Sequence, residues 1–108
     1  MSGTSQRMVW IDLEMTGLDL ERESIIEIAT VITDSELNLL ATGPNLAIKV
    51  SQDLLDGMDD WNTRHHHGSG LVQRIHDEGM ELLDAQKATV EFLKKWIADT
   101  QAGRMEIH

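Results

Sequence analysis

Two carboxylates lie two residues apart in an apolar run near the start of the chain. Residues 9–18 read Val-Trp-Ile-Asp-Leu-Glu-Met-Thr-Gly-Leu. On a strand, Asp12 and Glu14 share one face and are separated by roughly 6.6 Å along the strand. Like charges that have lost hydration stay ionised only when a cation compensates them, and divalent ions about 3.5–4 Å apart can do so. The pattern therefore predicts a metal-dependent site for phosphoryl transfer or hydrolysis.

A simpler alternative is that these acids belong to the solvated face of a half-exposed sheet. Two neighbouring features argue against it. Trp10 shares the face of the acids, and Thr16-Gly17 follows directly. A glycine at the end of a strand lets backbone approach a bound ligand closely. The residues alone leave both interpretations open.

Longer segments of the chain resemble a known family. Residues 12–18, Asp-Leu-Glu-Met-Thr-Gly-Leu, resemble the first exonuclease motif of the DEDD superfamily of 3′-to-5′ exonucleases, and more specifically that of the oligoribonuclease family. Residues 25–34 resemble the second strand of that family, and residues 58–71 resemble a segment that separates it from proofreading exonucleases. The resemblance covers about residues 8–97, whereas the tail, residues 98–108, diverges.

The resemblance implies an α/β fold of the ribonuclease H-like exonuclease type. It would be incomplete here, a single partial domain over residues 1–108 with three N-terminal strands, antiparallel or mixed, followed by helices. The family uses four acids and a histidine, and only Asp12 and Glu14 have counterparts, because the second and third exonuclease motifs are absent. His108 does not match the catalytic histidine. We therefore expect the N-terminal half of a 3′-to-5′ exoribonuclease. The alternative is a truncated, non-catalytic fragment that binds metal or a partner.

The resemblance also assigns roles to individual residues. Asp12 and Glu14 would be catalytic acids that bind two divalent ions, Mg²⁺ or Mn²⁺, in the complete site. The implied substrate-binding residues are Gly17, Leu18, Trp61 and His66. Leu18 and Trp61 would hold the bases of a short oligoribonucleotide, and His66 would contact its backbone.

The residues themselves are less decisive about Trp61 and the histidines. A loop tryptophan can stack on a base or can equally be a plug that packs a loop. A metal site built from His65-His66-His67 is not expected, because consecutive side chains diverge and seldom bind one ion. His65 and His67 are interpreted as polar loop residues.

Composition limits the partners. The chain carries 19 acids against 9 Lys and Arg, a formal charge of −10, whereas binding of long nucleic acid needs a basic surface. A substrate of a few nucleotides is compatible with this charge. The chain has no cysteine, which excludes disulfides and thiolate zinc sites. It shows no secretory leader and no apolar run of about 20 residues, so a cytoplasmic protein without a membrane partner is expected. We also expect a homodimer.

The elements that must position these residues follow from hydrophobic patterning and from N-cap and turn residues. We predict strands at residues 9–15 and 24–33 and a third from about 37 to 50, interrupted at Gly43-Pro44. The second should be central, because it is apolar on both faces. Short helices are predicted from Ser51 to Gly57 and over residues 71–77, with residues 59–61 in a loop. A long helix is predicted from about Asp84.

Overall fold

A four-stranded sheet carries four helices in the computed structural model, which describes residues 6–19 and 21–97 and the backbone of 103–107. The strands are β1 (Arg7–Met15), β2 (Ile25–Asp34), β3 (Leu39–Ala47) and β4 (Gly103–Ile107). The helices are α1 (Gln52–Asp56), α2 (Asp60–Gly68), α3 (Leu71–Glu78) and α4 (Leu82–Trp96). The strand order is β3-β2-β1-β4. Strands β1, β2 and β3 pair antiparallel, and β4 pairs parallel to β1. The predicted order of three strands followed by helices is confirmed.

The core lies between the sheet and the helices, in two clusters. One cluster joins the start of β2 and the end of β3 to α1, to Met58 after it and to α3; its buried members are Ile26, Ala47, Leu55, Met58, Leu71, Val72 and Ile75. The other buries Ile28, Ile48 and Ala85 of α4, with Ile11 and Leu13 packed against them. These aliphatic side chains remove apolar surface from water, which holds the end of β1 against the helices.

Strand β2 is internal, as predicted, but it is not covered equally on both faces. Its alternate residues Ile26, Ile28, Thr30 and Ile32 are buried. The residues between them, Ile25, Glu27, Ala29 and Val31, are only half-buried. The second face of the sheet therefore stays partly open around β1 and β2, and this is the face that carries the acidic residues of β1.

Strand β3 differs from the prediction at Gly43-Pro44. The strand runs through both residues without the expected interruption, and register shifts on β2 between Ala29 and Val31 absorb the irregularity. In the described sheet β3 is an edge strand, where a proline without an N–H is tolerated. Gly43 is required by packing, because a Cβ there would lie 2.6 Å from the ring of Phe92.

Strand β4 was not predicted. The tail gave no match to a further strand of the family, yet the backbone of residues 103–107 pairs with β1 from Arg7 opposite Gly103 to Ile11 opposite Ile107. The rest of the tail, with His108, lies outside the described residues.

Three of the four helices follow their sequence signals. Ser51 caps α1 by accepting a hydrogen bond from the Leu54 amide, and Gly57, where the helix was predicted to end, is its C-cap. Gly79 is the C-cap of α3, and α4 begins two residues before Asp84. Helix α2 was missed, because residues 59–61 were assigned to a loop. Asp59 is in fact its N-cap. None of the helices in the described part of the chain is long and apolar enough to cross a membrane.

Candidate active site

Asp12 and Glu14 lie two residues apart on β1, where the strand is regular. Asp12 pairs with Ala29 of β2 and Glu14 pairs with Glu27, and the register shifts only after Glu14. Because paired residues of antiparallel strands share a face, Asp12, Glu14 and Glu27 all belong to one face of the sheet. Asp12 is exposed and Glu14 is half-buried. The expected placement of two carboxylates on one accessible face is therefore present.

Glu27 is compensated within the protein. Its Oε2 accepts a hydrogen bond of 2.6 Å from Nη1 of Arg74 on α3. The hydrogen bond that Arg74 donates to Glu27 is the largest cause that raises the pKa of Arg74 above its usual value. Among the described residues, no Lys or Arg forms an ion pair with Asp12 or Glu14. Arg74 thus compensates the charge of Glu27, whereas the carboxylates of Asp12 and Glu14 stay available to a cation.

Helix α2 is attached to the end of β1 beside Glu14. Nε2 of His66 lies 2.9 Å from the carbonyl oxygen of Met15, and His66 is almost completely buried. Nε2 of His65 lies 3.9 Å from Oε1 of Glu14. The interpretation of His65 and His67 as polar loop residues was wrong, because both lie in α2, and His65 is adjacent to a predicted metal ligand. The position of His65 next to Glu14 depends on how α2 docks on β1, and this docking cannot be predicted from the periodicity of a helix or a strand.

Trp61 lies in the first turn of α2 and not in a loop. Its indole stacks on the His65 imidazole, with ring centroids 4.7 Å apart and an interplanar angle of 16°. The side chain is 62% exposed, which does not fit the alternative of a buried plug. A tryptophan that is accessible and held by a neighbouring ring is a suitable surface for a planar ligand, because stacking needs only a fixed π face.

The turn after β1 is closed by a small hydrogen-bond network. The buried Thr16 hydroxyl donates to Oε1 of Glu23 at 2.8 Å and accepts from the Ser24 amide at 3.0 Å. A Cβ at Gly17 would lie 2.9 Å from the Glu23 carboxyl carbon, so glycine lets the turn pack against this side chain. Leu18 follows and is 98% exposed. The turn is thus fixed at its base, and it presents an apolar side chain that packs on nothing in the described structure.

The donor set suits hard divalent ions but supplies only part of their coordination. Two Mg²⁺ or Mn²⁺ ions need about six oxygen ligands each, and the two carboxylates of Asp12 and Glu14 offer four oxygens. Water and a substrate phosphate can fill further positions. The described residues of this chain therefore fit one side of a two-ion site.

Comparisons with known proteins agree with this arrangement. Residues 9–103 match the Exonuclease (RNase T) family. The chain is 56% identical over 97 residues to an oligoribonuclease of Salmonella typhimurium and 54% identical over 97 residues to that of Escherichia coli K12. It is 52% identical over 94 residues to an oligoribonuclease of Pseudomonas savastanoi pv. phaseolicola. These matches cover 87–90% of this chain and 53–54% of the relatives. The chain spans about half the length of the curated relatives that it matches.

Solved structures show the same fold at low sequence identity. The nuclease domain of 3′hExo, a DEDDh family member bound to rAMP, aligns with a TM-score of 0.64 at 15% identity, over 94% of this chain and 50% of that one. A full-length 3′-exonuclease aligns with a TM-score of 0.61 at 16% identity, over 82% of this chain and 39% of that one. The fold is that of the DEDDh exonuclease domains. The chain belongs to the exonuclease family, and its resemblance to the oligoribonucleases is confirmed over nine-tenths of its length.

Proposed function

We propose that this chain forms one half of the active site of a 3′-to-5′ exoribonuclease that hydrolyses short oligoribonucleotides to mononucleotides. The observation that carries the proposal is the placement of Asp12 and Glu14 on one accessible face of β1, in a chain of the exonuclease family. These two carboxylates would hold the divalent ions, Mg²⁺ or Mn²⁺. When bound, such ions neutralise the charge that develops on the phosphodiester and make water a stronger nucleophile.

The remaining predicted residues lie on α2 and on the turn after β1 and would bind the substrate. Trp61 and Leu18 are both exposed, so each can contact a base, and Gly17 lets the turn approach the sugar-phosphate. His66 is buried against the Met15 carbonyl. Its proposed contact with the substrate backbone therefore requires access to its second ring nitrogen.

Short oligoribonucleotides are the proposed substrates because of charge. A chain with a net charge of −10 repels a long phosphate backbone, whereas a dinucleotide has few phosphates and owes little of its affinity to counterion release. We further propose a cytoplasmic homodimer. The open edge of the described sheet at β3 supports self-association, because an edge strand has unpaired backbone groups.

The proposal is tested on the 108-residue chain with a ribodinucleotide and Mn²⁺. We expect slow, Mn²⁺-dependent release of mononucleotides, which Asp12→Ala and Glu14→Ala each reduce at least 100-fold without lowering the melting temperature in the absence of metal. Glu91→Ala removes an exposed acid on α4 and should change nothing. Cleavage that survives in either β1 variant would contradict the metal assignment.

The second candidate function is that of a non-catalytic fragment that binds metal or a partner. It is favoured by the small number of metal ligands, because Asp12 and Glu14 supply only four oxygens for two ions. Mn²⁺ binding without any cleavage of the dinucleotide would establish it in place of the enzyme.

Base binding by Trp61 has its own test. Trp61→Ala should weaken binding of dinucleotides of every sequence by a similar factor, because stacking is worth about 1–3 kcal/mol per base and every base has a π face. Trp61→Phe should restore part of the affinity. If Trp61→Ala binds dinucleotides with unchanged affinity, Trp61 does not bind bases and only holds the His65 ring.

A further inference from the structure

Glu14, His65 and His66 form a cluster of potential ligands at the end of β1. Consecutive side chains usually diverge, which is why the sequence predicted no metal site on the histidines, but here one donor atom from each of the three residues lies within 4.8 Å of the others. We propose that these three residues bind a transition-metal ion of the zinc class, in a site that shares Glu14 with the carboxylate pair but otherwise uses different ligands. The exonuclease assignment uses neither histidine as a metal ligand.

The separation of Glu14 and His65 is compatible with a tetrahedral ion after small movements of these two side chains. Zn²⁺ binds imidazole nitrogen and carboxylate oxygen at about 2.0–2.1 Å, and two ligands of a tetrahedron are then about 3.3 Å apart. The Glu14–His65 pair, at 3.9 Å, is close to that separation. Both side chains are partly exposed, so they can rotate toward an ion, and the ion can enter from solvent.

The hydrogen bond of His66 fixes its tautomer. Because the Met15 carbonyl can only accept, the Nε2 atom that lies 2.9 Å from it carries the proton. Nδ1 therefore has the free lone pair. This atom is buried and has no hydrogen-bond partner among the described residues, and a buried polar atom left unpaired costs free energy. Donation of the second ring N–H to a backbone carbonyl is the usual arrangement of a metal-bound histidine. An ion at Nδ1 would satisfy the atom that the protein leaves unpaired.

His65 is oriented by Trp61. The two residues lie one turn apart on α2, and their rings stack at 4.7 Å. This contact restricts the imidazole next to Glu14, which lowers the entropy cost of binding an ion. Trp61 thereby has a second role, which requires no nucleotide.

The ligand types select the class of ion. Imidazole suits Zn²⁺, Ni²⁺ and Cu²⁺, whereas Mg²⁺ prefers an octahedron of oxygens. Three protein ligands leave a fourth position for water, as in open zinc sites. Glu14 would be a ligand of both sites, and Nδ1 of His66 is also the atom proposed to contact the substrate backbone. Zinc at this site would therefore withdraw a ligand from the Mg²⁺ or Mn²⁺ pair and would block that substrate contact. This antagonism rests on the proposed function, but the binding of zinc does not.

Titration of the metal-free 108-residue chain with Zn²⁺ alone, followed by calorimetry, tests the site, with Co²⁺ absorption as a probe of geometry. We expect one site per chain, with affinity lowered at least tenfold by His65→Ala and by Glu14→Gln. His67→Ala removes the adjacent exposed histidine, which is not in the cluster, and should alter the affinity less than twofold. Asp12→Ala should also retain the zinc site while losing Mn²⁺-dependent cleavage, which separates this proposal from the proposed function.

The outcomes are distinct. Equal zinc affinity in the parent, His65→Ala and Glu14→Gln would overturn the proposal, as would an equal loss in His67→Ala. Six-coordinate Co²⁺ spectra in the parent would also contradict the four-coordinate site. His66→Gln is a supplementary variant only, since His66 is buried and its replacement can disturb folding.

Discussion

The guanidinium of Arg74 links α3 to β2 and β3 beside the acidic face. Its removal should lower the free energy of unfolding by a large amount for the substitution of one polar residue. Nη1 donates to Glu27 at 2.6 Å, and Nη2 donates to the Asn45 carbonyl at 3.3 Å and to Asn45 Oδ1 at 3.1 Å. Nε donates to Glu78 at 3.3 Å. The Arg74 and Glu27 side chains are only 32% and 18% exposed, so water replaces these contacts poorly.

The expected cost of Arg74→Ala follows from these contacts. A partly buried hydrogen bond between charged groups contributes about 1.5–3 kcal/mol net, and the longer, more exposed bonds add at most about 0.5 kcal/mol each. The change also leaves Glu27 opposite Glu14, and like charges directly across a sheet destabilise it. We discount for the partial exposure and expect the free energy of unfolding to fall by about 2 kcal/mol. For a domain of this size the melting temperature should fall by about 8 °C.

Urea and thermal denaturation measure this loss. Arg22→Ala is a matched control, because Arg22 also pairs with a carboxylate, Asp19, at 3.0 Å, but with side chains 79% and 45% exposed. It should cost less than about 0.5 kcal/mol. In a Glu27→Gln background, Arg74→Ala should lose at least half of its effect. Equal costs for the two arginines, or a cost independent of Glu27, would refute the reasoning.

Three further predictions concern stability elsewhere. Hydrogen bonds from Asn38 lower the pKa of Asp34 in the folded protein below its usual 3.8. The ionised carboxylate therefore stabilises the folded state above pH 3.8, and this contribution is lost as the pH falls through the lowered pKa. Asp34→Ala should accordingly make the free energy of unfolding depend less on pH in the acid range. Asp59→Ala removes the cap that accepts from an α2 amide at 2.8 Å and should cost about 1 kcal/mol in urea denaturation, whereas Asp59→Ser should cost far less. Gly43→Ala places a Cβ 2.6 Å from Phe92 and should cost about 1–3 kcal/mol, an effect that Phe92→Ala should partly relieve if the clash is its cause.

Elements with a regular apolar period could be predicted from the sequence. Alternation identified β1, a run that is apolar on both faces identified β2, and cap residues such as Ser51 and Gly79 marked helix ends. Helix α2 was not predicted because its buried residues, Asn62 and His66, are polar and form no hydrophobic stripe. Its one local signal was Asp59, an acid placed where an N-cap belongs.

The candidate site could likewise be predicted only in part from the sequence. That Asp12 and Glu14 share a face follows from the two-residue period of a strand. The proximity of His65 to Glu14 and the pairing of Arg74 with Glu27 link residues about 50 positions apart. Such contacts depend on the docking of helices on the sheet, and they have no counterpart in local patterning. The roles of Gly17, Leu18, Trp61 and His66 came from family resemblance and stay predictions.

The parallel pairing of β4 with β1 has a consequence for the order of folding. Strands β1 and β2 are joined by residues 16–24, whereas the segment between β1 and β4 is residues 16–102, roughly tenfold longer. Closing the longer segment from the unfolded chain costs about 2 kcal/mol more in entropy. The β1–β2 hairpin should therefore form early, and β4 should add last, once the helices have shortened the gap. Pulse-labelling hydrogen exchange should show amides of β2 protected before those of residues 103–107.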